Sequence, residues 1–333
     1  MPQAIGIGVI GLGTIGQIHL ATVCSLVDRF RLAAVADLDD ALGRRTGKEA
    51  GVPAYASGAE LLDAPALQAV VIATPAESHG ELIERAAAAG KHIFCEKPLD
   101  VTLMRIDRAL AAVKQAGVLL MVGFNRRFDR DFEYLSEELD VQRVGNLISI
   151  HIISRDPILR GPPRRIEGMS GLFFETTVHD LDMLRFLTGA EIEWVHVQAS
   201  GPVHGQAEVD TALTFARMTN GVAATIDNSQ AAYHYDQRIE VFGTKGAMIV
   251  GNETTSTSTL LDSQGIHAPT HQYFFPQRYR QSYENELHAF CGFINAQVEP
   301  RPSGNDGRAA TVAALACQRA MDEGRPVLLS EIG

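Results

Sequence analysis

The 333-residue chain is poor in cysteine, tryptophan and positive charge, and it has no long apolar run. Its four cysteines, Cys24, Cys95, Cys291 and Cys317, lie far apart and form no C-x-x-C pair. That argues against zinc ribbons, thioredoxin-like redox motifs and a disulfide scaffold, and leaves reduced thiols in a cytoplasmic protein as the expectation. Lys and Arg number 29 against 40 Asp and Glu, a formal charge of −11, and no basic run is clustered. Nucleic acid is therefore a poor partner, whereas a polar uncharged small molecule suits this balance. No stretch approaches about 18 consecutive apolar residues, so no membrane span is expected. The N-terminus lacks a basic segment, and glycines 6, 8, 11, 13 and 16 break its apolar run, unlike a signal peptide. What is present is ordinary for a globular protein, 46% hydrophobic and 21% charged, and the length predicts about two domains at roughly 150 residues each.

The first third alternates short apolar runs with amphipathic, Ala-rich stretches. Strands are predicted over Ala4 to Ile10, Arg31 to Ala36, Ala69 to Ala73, His92 to Cys95 and Val118 to Val122. Helices are predicted after the first of these, and over Glu77 to Ala89 and Thr102 to Ala116. Such alternation implies βαβ units and a doubly wound parallel sheet over residues 1–123. Residues 124–333 read differently, as strands in succession over Leu147 to Ser154, Trp194 to Gln198, Thr211 to Arg217, Val222 to Asn228, Arg238 to Phe242 and Ala247 to Val250. One helix, Glu175 to Leu187, interrupts them, and Tyr283 to Ala296 and Asp306 to Met321 return to helix. The expectation is an α+β domain with an open, mainly antiparallel sheet, whose C-terminal helices can pack back on the first domain.

Gly11-Leu12-Gly13-Thr14-Ile15-Gly16 opens the first strand–helix turn as G-x-G-x-x-G. The glycines permit a tight turn, backbone approach to a pyrophosphate and close helix–strand packing, while the helix N-terminus faces the negative charge. Asp37 ends the second predicted strand 21 residues after Gly16, where a carboxylate accepts hydrogen bonds from an adenosine ribose. A carboxylate there repels a 2′-phosphate, and Leu38 supplies no cation, so NAD is favoured over NADP. Arg44 and Arg45 belong to a solvated helix face.

Two further clusters carry chemistry. Glu96-Lys97-Pro98 follows directly on a strand, and the proline biases Lys97 to an extended backbone, aimed at a ligand crevice. In Glu175-Thr176-Thr177-Val178-His179-Asp180-Leu181-Asp182 a regular helix would set Glu175, His179 and Asp182 on one face. A carboxylate beside a histidine raises its basicity and fixes its tautomer, as a general base for an alcohol proton requires. Metal ligation by Glu175 and His179 lacks a convincing third ligand, so no metal is expected.

Gly11 to Gly16, Asp37, Ala73-Thr74-Pro75, Glu96-Lys97-Pro98-Leu99 and the His179 segment resemble the Gfo/Idh/MocA oxidoreductase family over nearly the whole chain. Gly123-Phe124-Asn125-Arg126-Arg127-Phe128-Asp129, Ser154-Arg155-Asp156-Pro157, Tyr235-Asp236-Gln237-Arg238 and Pro302-Ser303-Gly304-Asn305-Asp306-Gly307 are similar to its inositol dehydrogenases. The resemblance implies NAD-dependent oxidation of a cyclic polyol's secondary hydroxyl to a ketone, an inositol isomer first and a pyranose sugar as the alternative. It implies that Gly11, Gly13, Thr14, Ile15, Gly16, Asp37, Ala73, Thr74, Pro75, Glu96 and Lys97 bind cofactor. By the same resemblance Lys97 hydrogen-bonds the reacting oxygen, His179 accepts the hydroxyl proton with Glu175 beside it, and Arg126, Asp156, Thr176, Asp182 and Tyr235 hold the rest of the ring. Association into a homo-oligomer, a tetramer, through the open sheet is likewise implied.

The chain departs from the family at Glu175, where inositol dehydrogenases carry aspartate, and at Phe174, where many relatives place a cation. Glutamate keeps the charge one methylene further out, which bears on which polyol fits. The rival from another class is a non-catalytic NAD-sensing regulator, which has no reason to retain both Lys97 and His179.

Overall fold

Six apolar strands, β1 (Ile5–Ile10), β2 (Phe30–Ala36), β3 (Ala54–Tyr55), β4 (Ala69–Ile72), β5 (His92–Glu96) and β6 (Leu120–Gly123), form a fully parallel sheet in the order β3-β2-β1-β4-β5-β6 in the computed structural model. The structure describes residues 4–158, 170–201 and 209–333. β1, β4 and β6 are buried along their whole length, as helices on both faces require, and so they read in sequence as unbroken apolar runs. The crossover helices begin and end on local signals. The Asp39 carboxylate accepts from the Ala41 and Leu42 amides to start Asp40–Ala50, and Gly117, at φ 68°, closes Leu103–Ala116. This sheet belongs to a unit comprising residues 1–128 and 281–311. Leu287, Phe290, Cys291 and Ile294 of the helix Arg280–Ala296 enter the same core as Ile7, Val9, Val71 and Phe94.

The second unit comprises residues 129–280 and 312–333. Its sheet is built from β7 (Leu147–Pro157), β8 (Ile192–Ala199), β9 (Thr211–Met218), β10 (Ala223–Ala232), β11 (Asp236–Gly243) and β12 (Gly246–Val250). A separate hairpin, β13 (Leu260–Asp262) with β14 (Gly265–His267), precedes the short β15 (Val327–Leu328). The seven strands run β12-β11-β7-β10-β9-β8-β15, every neighbour antiparallel except β7 with β10. The sheet is mainly antiparallel, as expected; its one parallel pairing arises because β7 and β10 are joined by a long connection and not by a hairpin. β9 and β11 alternate buried and exposed residues, so one face of this sheet packs and the other is open.

Two local features depart from the sequence reading. Arg130–Asp140 is a helix that was not expected; Asp129 caps it by accepting from the Asp131 and Phe132 amides, and it buries only Phe132 and Leu135. The helix expected over Glu175 to Leu187 begins earlier, with Leu172–Thr177 wound as π-helix and only Val178–Thr188 as α-helix, closed by Gly189. Among the described residues no helix is long and apolar enough to cross a membrane.

Candidate active site

The sheet order delivers the predicted cofactor residues along one edge. Four adjacent strands, β2, β1, β4 and β5, are followed directly by Asp37, Gly11, Ala73 and Lys97 respectively, and the order reverses between β1 and β4, where doubly wound sheets bind ligands. Gly11 sits at φ +87°, and a Cβ there would lie 2.6 Å from the Ala73 carbonyl oxygen. A Cβ at Gly13 would meet nothing within 4 Å, so the backbone here is open to a close-lying group. The helix Thr14–Ser25 follows with no side-chain cap and no acidic residue in its first turn. Its free amides and dipole therefore suit a pyrophosphate. The Asp37 carboxylate accepts from the Leu12 amide at 2.6 Å and the Asp39 amide at 2.8 Å, which ties the end of β2 to the glycine turn. A carboxylate has about four acceptor sites, so capacity remains for a ribose diol. Arg44 pairs with Asp40 on its own helix, while Leu38 is exposed. The donor and acceptor set fits NAD.

The turns after β4 and β5 are stapled together by a residue the sequence reading did not single out. His79 is buried, with Nδ1 2.7 Å from the Pro98 carbonyl and Nε2 2.8 Å from the Thr74 carbonyl. Burial pushes its imidazole below the ordinary value, against the pull of those carbonyls, Glu96 and Asp100. Thr74 Oγ1 lies 2.7 Å from Ser78 Oγ, which in turn donates to the Pro75 carbonyl. Glu96 turns its carboxylate inward: Oε1 lies 2.7 Å from His19 Nε2, and Oε2 accepts from the Lys97 amide at 3.2 Å. Lys97 itself is half-buried. Arg126 lies in the short turn Asn125–Phe128 after β6 and is 7% exposed.

The remaining predicted residues are on the second unit. Asp156 is near the end of β7, and its Oδ2 accepts from Thr176 Oγ1 at 3.2 Å; Gln230 Nε2 of β10 donates to the same hydroxyl at 3.1 Å. The structure thus brings Asp156 and Thr176 together and adds Gln230. Glu175 belongs to the π-helical stretch and His179 to the α-helix, so their four-residue spacing crosses a change in winding; only His179 and Asp182 keep the regular α-helical relation. The π turn is held from below. Thr177 Oγ1 lies 2.7 Å from Asn228 Oδ1 and 3.1 Å from the Leu172 carbonyl, five residues back, and its one proton is shared between these two acceptors. Asn228 Nδ2 in turn donates to Asp180 Oδ2 at 2.7 Å and to the Ser154 carbonyl at 3.2 Å. π turns recur at functional sites because they re-aim side chains. Asp182 and Tyr235 are buried, the Tyr235 ring standing edge-on to Phe274 at 5.4 Å. Asn228 and Gln230 escaped the sequence reading because their partners Asp180 and Thr176 are 48 and 54 residues away; His79 carried a weak local signal, a histidine at a helix start just beyond Thr74-Pro75.

Residues 5–124 match the model of an oxidoreductase family with an NAD-binding Rossmann fold, and residues 132–249 match the GFO/IDH/MocA C-terminal domain. The chain is 40% identical to the myo-inositol 2-dehydrogenase of Thermotoga maritima, over 98% of this chain and 99% of that one. It is 38% identical to the inositol 2-dehydrogenase of Rhizobium meliloti, over 97% and 98%. A crystal structure of the scyllo-inositol dehydrogenase of Lactobacillus casei, with bound NAD(H) and scyllo-inositol, superposes with a TM-score of 0.92 at 27% identity, covering 98% of this chain and all of that one. With both halves matched, and a glycine turn, a carboxylate and a post-strand lysine along one sheet edge, the chain belongs to the GFO/IDH/MocA family of NAD-binding oxidoreductases.

Proposed function

We infer that the protein oxidises one secondary hydroxyl of an inositol, or a closely related cyclic polyol, to the ketone with NAD as the acceptor. The observation that carries this reading is the convergence of Gly11, Asp37, Thr74 and Lys97 on the carboxyl ends of four adjacent strands. Bound NAD supplies the hydride acceptor, and the protein's part is orientation and proton handling. Lys97 donates a hydrogen bond to the reacting oxygen. His179 accepts the hydroxyl proton, with the Glu175 carboxylate favouring its charged form. Asp156, Thr176, Asp182, Tyr235 and Arg126 hold the remaining hydroxyls; the Asp156–Thr176–Gln230 chain supports this role, because it presents a carboxylate whose position is already fixed. The alternative is the same oxidation on a pyranose sugar, and the added methylene of Glu175 bears on which ring fits.

The chain further assembles as a homo-oligomer, a tetramer, in the cytoplasm. In support, the open sheet face carries Leu213, Phe215 and Phe242 at 44%, 42% and 47% exposed, an apolar surface that a second copy would cover. Its four cysteines are free thiols, as a reducing compartment maintains. Light scattering that returns a monomer would refute the assembly. Saturating NAD with a panel of inositol isomers and pyranoses, followed by the absorbance of reduced nicotinamide, tests the activity. Turnover on an inositol is expected, whereas none on any polyol would leave the regulator reading in its place.

A further inference from the structure

Beneath the Lys97 turn Glu96 meets two residues, His19 and Glu286, that neither the motifs nor the proposed chemistry uses. His19 comes from the helix after the glycine turn, Glu96 from the end of β5 and Glu286 from the helix Arg280–Ala296. One ligand atom from each lies within 4.8 Å of the others, and the residues are 0%, 7% and 0% exposed. We propose that this cluster holds a proton on Glu286 so that Glu96 alone is charged and fixes the Lys97 backbone, which makes Glu286 a positioning residue for the oxidation inferred above.

Charge and geometry carry the argument. Two carboxylates this close, walled by the rings of Phe94 and Tyr283 against His19, cannot both ionise without a compensating cation or proton. Glu96 is the one with partners for a negative charge, the His19 Nε2–H and the Lys97 amide. Both Glu286 oxygens are buried without a hydrogen-bond partner, the condition in which a neutral carboxylic acid costs far less than a carboxylate. Burial and the neighbouring Glu96 charge push the Glu286 carboxyl well above its ordinary range. Titratable groups around Glu96 and His19 include Cys95, His79, Asp100 and Tyr283, and Lys97 follows Glu96 in the chain. Burial pushes the His79 ring down, so it supplies no positive charge at neutral pH. Room for the Glu96 carboxylate is reserved by Gly123, where a Cβ would stand 3.0 Å from the carboxyl carbon and Oε1. A divalent cation is the alternative compensation. Against it, the 2.7 Å His19–Glu96 contact is a hydrogen bond with no space for an ion between the two atoms, and the burial of all three residues closes the entry path.

The test needs no turnover in its first arm. A raised native pKa means that stability is complete below the unfolded value and is lost as pH rises toward the native one. Glu286→Gln cannot ionise, so its melting temperature should gain steadily on wild type between about pH 5 and pH 9. A difference independent of pH would overturn the proton assignment. Metal analysis of wild type should find no stoichiometric divalent ion. One ion per chain that disappears in Glu286→Gln would overturn the proposal in favour of a metal site. The second arm is kinetic. Glu286→Leu should lower kcat by about tenfold or more with NADH affinity within about threefold, and the isosteric Gln should recover most of that kcat. Wild-type kcat in the Leu variant would overturn the positioning role. Because melting and metal content are read without substrate, a wrong substrate assignment would leave them standing.

Discussion

The two sheets of this molecule solve the same packing problem in opposite ways. In the first unit the strands are parallel, with β1 and β4 buried along their whole length, so polar chemistry is expelled to their carboxyl ends. In the second the strands alternate, and polar side chains are threaded through the sheet itself. Arg155 on β7 pairs with Asp227 on β10 and approaches Asp236 on β11 at 3.5 Å; Arg238 and Asn252 bond Asp236 in turn. The difference teaches where sensitivity should lie. Substitutions at the strand ends of the first unit should change chemistry with little effect on folding, whereas polar substitutions in the second should disturb stability and chemistry together.

The largest expected effect would break that contrast if it failed. Asp129→Ala removes the hydrogen-bonded carboxylate of Arg278, whose side chain is 4% exposed and whose NH1 and NH2 both reach it, and it also uncaps the helix Arg130–Asp140. With Glu253 left as its carboxylate partner, 3.7 Å from NH1, the buried guanidinium should lose about 3 kcal/mol, read by chemical denaturation. Lys97→Met should leave NADH affinity and melting temperature nearly intact while kcat falls by a factor on the order of 10² or more. Near-normal turnover would remove Lys97 from the mechanism.

Glu175→Gln should lower kcat more than it weakens cofactor binding, and more than Glu175→Asp on every substrate, since charge matters here more than length. The Asp variant should remain within roughly tenfold of wild type, about 1.4 kcal/mol of transition-state energy. Wild-type activity in the Gln variant would reduce Glu175 to a residue of the π turn. Asp37→Ser should shift kcat/KM from NAD toward NADP by relieving phosphate repulsion, and a wild type that already prefers NADP would refute the role of Asp37. The smallest effect concerns pH. Burial works against the Asp236 charge, but Arg238 and Asn252 outweigh it and hold the carboxyl below its ordinary value. That stability is present above the unfolded value of 3.8 and lost as pH falls through the lower native value, so the melting-temperature gap between wild type and Asp236→Asn should narrow in acid.

By itself the sequence determined the parallel sheet, the glycine turn, Asp37, the Glu96-Lys97-Pro98 turn and the family. Each of these is written within one βα unit, where strand burial and turn chemistry act over a few residues. Its spacing also marked Glu175, His179 and Asp182 as a group, and resemblance added Asp156 and Thr176 to it. Tertiary structure alone decided the parallel pairing of β7 with β10, the π winding under Glu175 and the Asn228 support beneath it. It alone placed the helix Arg280–Ala296 in the core of the first unit, 157 residues beyond the end of β6, and so set Glu286 against His19 and Glu96. These depend on which distant strands and helices meet. No local propensity encodes that, because the free energy deciding it comes from burying side chains that are neighbours only after the chain has folded.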